Sequence, residues 1–262
     1  MPFPSSVRVQ YARNPLKEVI CQLRFPAVLA ISANPPSDFQ EAIRQEYPLY
    51  EPSVPLEQLP EDVNRVIASI GISFPLGGRT HAFTTLDHRR MVTLSQDAIA
   101  LTDRTYVDWP SFRANLRFVA DWVRRIYRPV LFTRIGLRYQ NFIDREELHI
   151  EDVPWAALIQ PSFAGLIATE EIGAEIHSID ARTITRLAIE PESFVLIRHG
   201  LFDAAGTGHR GFVIDSDFYT QAQVRSDGED AFSILDEFHR ISGDLFRWAI
   251  KPRLTAALGD GH

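Results

Sequence analysis

Two aspartates, Asp215 and Asp217, lie two residues apart in a stretch that reads as a strand, so both carboxylates project from one face. Such a doublet can hold Mg²⁺ or Mn²⁺ in nucleases and nucleotidyl transferases, provided that the fold brings in a third ligand, here Glu190, Glu192 or Asp203. The plainer alternative is a solvated strand face beside a turn. A second polar set is Arg134, Arg138 and Gln140, in the stretch Leu131 to Glu147. The two arginines are four residues apart, ~13–14 Å along a strand, and guanidinium groups so placed suit an acidic peptide or a phosphate-bearing ligand. Cross-strand ion pairs with Asp or Glu are the structural alternative, and the sequence favours them.

The remaining candidates are incomplete. None of the eight histidines falls in an HExxH spacing. His199 and His209 flank the loop LFDAAGTGHR, where a hairpin could bring them near Asp203, but nothing in the sequence fixes their geometry. Gly206-Thr-Gly208-His-Arg-Gly211 lacks the Lys-Ser/Thr of a P-loop and runs into a strand rather than a helix, which reads as a hairpin tip. Cys21, the only cysteine, sits in an apolar strand pattern as a small core residue. One cysteine excludes a disulfide framework and any Cys-based metal cluster.

Composition narrows the classes further. The chain has 262 residues, 45% hydrophobic and 11% aromatic, with a net charge of −7. That balance argues against a general affinity for nucleic acid, which needs clustered cations. Arginine supplies most of the positive charge, so local anion sites stay open. The start MPFPSSVRVQ lacks a signal-peptide pattern, and no stretch approaches the ~20 apolar residues that span a bilayer. The expectation is a soluble cytoplasmic protein with no membrane contact and no cofactor.

Elements that could position these residues follow from periodicity. In Leu131 to Glu147, Leu131, Ile135, Leu137, Tyr139 and Ile143 share one parity, and Arg134, Arg138, Gln140 and Asp144 the other. This central strand should therefore cover Ile135, Leu137 and Tyr139 and present Arg134 and Arg138 on an open surface. Before it come a strand over Leu16 to Phe25, a short helix striped by Phe39, Ile43 and Tyr47, and an irregular proline-rich connection over Pro48 to Pro60. Val63 to Phe74 is a further strand candidate, turned by Pro75 to Arg79, and three short strands form a meander from His81 to Val107. A long helix then begins at Asp108. Phe112, Leu116, Val119, Val123 and Ile126 stripe this helix, and Pro129 stops it.

After the central strand the order recurs. A short helix opens at Asp152-Val-Pro154, strands run over Ala174 to Ile189, Ser193 to Phe202 and Phe212 to Val224, and a long helix follows Asp227. Trp122-Val123-x-x-Ile126-Tyr127-Arg128-Pro129 aligns without gaps on Leu245-Phe246-x-x-Ala249-Ile250-Lys251-Pro252. The fold class expected is α+β: a curved antiparallel sheet with long helices packed on it, in two pseudo-repeated helix-grip-like halves, 1–130 and 131–262. The two halves could share one continuous sheet.

Asn14-Pro15-Leu16-Lys17-Glu18-Val19 followed by Phe25, Arg134-Ile135-Gly136-Leu137-Arg138-Tyr139-Gln140-Asn141, and Asp215-Ser216-Asp217-Phe218-Tyr219 together carry a resemblance. They resemble a sporadically distributed family of uncharacterised bacterial and archaeal proteins of about this length. The resemblance brings no activity or catalytic residue with it. Its patchy distribution fits accessory roles such as defence or toxin–antitoxin loci. The functional expectation is a non-catalytic protein that binds a protein partner or a small ligand, with a homo-oligomer left open. The alternative is a metal-dependent enzyme acting on nucleotides or nucleic acid through Asp215 and Asp217.

Overall fold

Alternating residue types build the strands, and a 3.6-residue apolar stripe builds the two long helices that cover them. The computed structural model describes residues 3–53, 80–169, 171–203 and 210–259. The strand expected at Val63 to Phe74, the turn at Pro75 to Arg79, His209 and most of the glycine-rich tip lie outside the described residues. The elements in order are β1 (Leu16–Arg24), α1 (Leu29–Ala33), α2 (Ser37–Ile43), β2 (Leu49–Ser53), β3 (Thr80–Thr84), β4 (Arg90–Ser95), β5 (Ala98–Asp103) and α3 (Trp109–Tyr127). Then come β6 (Leu131–Phe132), β7 (Arg134–Asp144), α4 (Trp155–Leu158), α5 (Pro161–Ala164), β8 (Ile179–Leu187), β9 (Ser193–Asp203), β10 (Arg210–Thr220), β11 (Val224–Arg225), α6 (Asp230–Ala249) and α7 (Pro252–Leu258). The class is α+β with a large antiparallel sheet, and no described helix is long and apolar enough to cross a membrane.

Two compact units divide the chain, but not at a single point. Unit I comprises Met1–Val19, Leu137–Thr220 and Ile234–His262; unit II comprises Ile20–Gly136 and Gln221–Ser233. The contiguous cut expected between residues 130 and 131 is therefore displaced to 136/137, and two segments change sides. The reason is geometric: β1 and β7 each run past the end of one unit into the other.

In unit II the neighbours run β2-β3-β4-β5-β1, with β2, β3, β4 and β5 an antiparallel meander. Leu49–Ser53 is a strand and not the irregular connection its prolines suggested. Among the described residues β2 ends the strand order, and such an end position is where proline is ordinarily found in a sheet. The helix α3 starts where Asp108 Oδ1 accepts the Ser111 N–H at 2.8 Å, with Pro110 in the first turn. Its stripe of Phe112, Leu116, Val119 and Val123 is buried. Phe39 of α2 sits 5.5 Å from Phe83 of β3 and 6.3 Å from Tyr127 of α3, ring centre to ring centre.

Among the described residues unit I repeats this connectivity with one strand fewer: β7, the short helices α4 and α5, the meander β8-β9-β10, then α6. In each unit the first strand adjoins the last strand of the meander, giving β5-β1 in one and β7-β10 in the other. That is the helix-grip connectivity, present twice. Phe232, Leu235, Phe238, Ile241 and Leu245 of α6 are buried, and Phe238 meets Phe218 of β10 at 6.2 Å. Pro161 and Pro252 each open a further short helix at its first position, where the sequence suggested only interruption or an end.

Candidate functional site

The four strands β7, β10, β9 and β8 of unit I have two unlike faces. On the inner face Phe212 lies against Trp155 of α4, Phe218 against Phe238 of α6, and His199 between Phe163 of α5 and Phe212. Residues of the other parity form the outer face. There β7 contributes Arg138, Gln140 and Phe142; β10 contributes Val213, Asp215, Asp217 and Tyr219; β9 contributes Phe194, Leu196, Arg198 and Phe202.

A line of alternating charge crosses this outer face. Arg138 Nε donates to Asp215 Oδ1 at 2.6 Å, and Nη2 donates to Oδ2. Asp215 stands directly opposite Arg198 in the β9–β10 register. Arg198 Nε and Nη2 donate to Asp180 Oδ1 and Oδ2 of β8 at 2.8 and 2.7 Å. The pairing holds Asp180 below the ordinary carboxylate range, chiefly through the Arg198 hydrogen bonds, and raises Arg198 through the same bonds. Burial grades along the line: Arg138 and Asp215 are 6% and 5% exposed, Arg198 is half-buried and Asp180 is exposed.

This placement corrects the open-surface expectation for Arg138. Its parity was read properly, but the guanidinium is buried together with the Asp215 carboxylate of the adjacent strand β10. Arg134 falls in unit II, where Nη1 donates to Gln22 Oε1 at 3.3 Å and the side chain lies over Gly136. A Cβ at Gly136 would come within 2.2 Å of that guanidinium, so a side chain there would displace Arg134 from this position. Gln140 is half-buried, one pleat from Arg138.

The carboxylate doublet is on one face as expected, but Asp215 directs both oxygens at Arg138, and Asp217 stands opposite Leu196. Asp203 pairs with Arg210, five register positions from Asp215, or ~17 Å along the strand, and Glu192 lies beyond the other end. Among the described residues no three His, Cys, Asp or Glu side chains gather to hold a metal ion. Cys21 is buried in core, as its pattern indicated.

Sequence reasoning missed the surroundings of the charge line. Phe194 stacks on Tyr219 at 5.8 Å at one end of the outer face. At the other end Phe202 stands opposite Gly211, and the Phe142 ring covers that glycine so closely that a Cβ would meet it at 2.2 Å. Lys17 lies 5.9 Å above the same ring, and Arg198 5.0 Å from the Phe202 ring. Each aromatic falls at the polar parity of its strand, and that alternation was the available signal.

On the inner side, Tyr139 Oη and His239 Nδ1 are 2.8 Å apart. Burial, then the positive charge of Arg8, depresses His239 to a pKa of about 4. The folded protein thus keeps a neutral imidazole where the unfolded chain takes up a proton below about 6.5. A group so depressed contributes stability that is complete above pH 6.5 and is lost as the pH falls toward 4. Urea unfolding should show a loss of at most about 3 kcal/mol across that window, and His239→Gln should flatten it. An unchanged pH slope in the variant would contradict this assignment.

No family model matches the chain, and no curated protein matches it. Among solved structures, the di-domain ARO/CYC StfQ from the steffimycin biosynthetic pathway aligns over 92% of this chain and 97% of that chain. The alignment has 12% identity and a TM-score of 0.18, a likeness too slight to carry fold or function.

Proposed function

We propose that the chain is a non-catalytic binding protein that recognises a protein partner through the outer face of β7, β10, β9 and β8. The observation that carries this reading is the make-up of the face: half-buried Phe142, Phe194, Phe202 and Tyr219 flank a centre whose charges are already paired with one another. Aromatic residues and arginine are the side chains enriched at interface centres, and a self-compensated centre can be desolvated without stranding a charge. The carboxylate best placed for chemistry, Asp215, is held by Arg138, which supports a binding role over a hydrolytic one. From Phe194 to Phe202 the face is about 27 Å long and, over four strands, about 19 Å wide. That footprint suits a transient protein complex at the low end of interface sizes rather than an obligate oligomer.

The test is an affinity measurement on a partner captured with the intact chain and then purified. Phe202→Ala with Tyr219→Ala should weaken binding by at least about tenfold, roughly 1.4 kcal/mol, while the circular dichroism spectrum stays that of the parent. Unchanged affinity in the folded double variant would reject the reading.

A further inference from the structure

Unit II carries a cavity of about 500 Å³ at the C-terminal end of α3, lined by none of the residues of the outer face of β7, β10, β9 and β8. Four arginines line it, Arg124, Arg125, Arg128 and Arg225, against two aspartates, Asp121 and Asp227. The excess is positive in a chain whose net charge is −7. Arg124 pairs with Asp121 at 2.9 Å, and Arg225 holds Asp227 through two hydrogen bonds at 3.0 and 2.6 Å. Among the described residues no carboxylate pairs with Arg125 or Arg128. The Arg125 guanidinium lies 4.9 Å from the Trp122 ring, which restricts it without neutralising it.

The partial negative charge at a helix C-terminus attracts arginines in the last turn, and this accounts for Arg124 and Arg125. It does not account for Arg225, which enters from β11 through the antiparallel β6–β11 pairing. Nor does it account for Arg128, the C-cap of α3, which adopts the left-handed conformation with φ of 51°. Glycine or asparagine ordinarily fills that position, because a side chain there is strained. A strained residue with an uncompensated charge at a cavity wall is what a ligand-binding role would retain.

We infer that this cavity binds a small molecule bearing a diphosphate group. Guanidinium groups pair bidentately with phosphate oxygens, and the volume lies within the range of small-molecule sites. Arg125 and Arg128 supply the two uncompensated charges, and Arg225, fixed by Asp227, supplies a preorganised donor. Because the site lies wholly within unit II, the inference is independent of the protein-binding face of unit I.

Calorimetric titration of the intact chain with inorganic pyrophosphate and with ADP tests it, the two arms separating a free inorganic ligand from a nucleotide. Saturable binding of either one, at least about tenfold tighter than sulfate, is expected. Arg128→Gly supplies a second readout, since it relieves the left-handed strain: melting should rise or hold while binding weakens by about tenfold. Arg125→Gln with Arg128→Gln should abolish saturation. Three results would overturn the inference: no saturable binding of either probe at about 5 mM, affinity unchanged in the double variant, or tighter binding to a single-stranded oligonucleotide than to both probes.

Discussion

Arg138→Ala is expected to destabilise the protein by about 3–5 kcal/mol, because it leaves the Asp215 carboxylate buried without its bidentate partner. Asp215→Ala should also be destabilising, because it removes the bidentate acceptor of a buried guanidinium. Replacing both, as Arg138→Met with Asp215→Leu, removes the two desolvated charges together and should recover most of the loss. Urea denaturation of the three variants checks this. A cost for Arg138→Ala within about 0.5 kcal/mol, the usual range for a surface site, would mean that the outer face is far more hydrated than its burial indicates.

Phe238→Ala should cost about 3–5 kcal/mol, since the ring is fully buried and its removal opens a cavity between α6 and β10. Phe218→Ala should be comparable. The rings touch at 6.2 Å, so the double variant should fall short of the sum by about 0.5–1.5 kcal/mol. Simple additivity in thermal or urea unfolding would show that α6 does not grip the sheet through this pair.

Much of the scaffold was legible because period-two and period-3.6 patterns report burial locally. The stripe of α3, its Asp108 cap, the meander β3-β4-β5 and the alternation of β7 could each be read within a dozen residues. The strand β2 was not, because Pro52 reads as a breaker until its pairing with β3 is seen. The discontinuous units were not legible either, since strands that end one unit and begin another carry no compositional mark.

The candidate site divides in the same way. That Arg138 and Asp215 lie on the polar sides of their strands was readable; that they bury each other across 77 residues was not, because one sequence holds no pairing information. The arginine cavity left a local trace in Arg124-Arg125 and Arg128 just before Pro129. Arg225, which completes it, comes from a distant segment. Periodicity assigns a face to each residue but does not say which faces meet.

Hydroxyl-radical footprinting read by mass spectrometry tests the central claim most directly, because aromatic side chains report their own exposure. In the free chain, Phe142, Phe194, Phe202 and Tyr219 should be labelled, being half-buried, while fully buried Phe212, Phe218 and Phe238 are not. At saturation with the captured protein partner, all four outer-face rings should lose labelling, and exposed Trp248 should keep it. Labelling of the four rings that is unchanged in the complex would contradict the account.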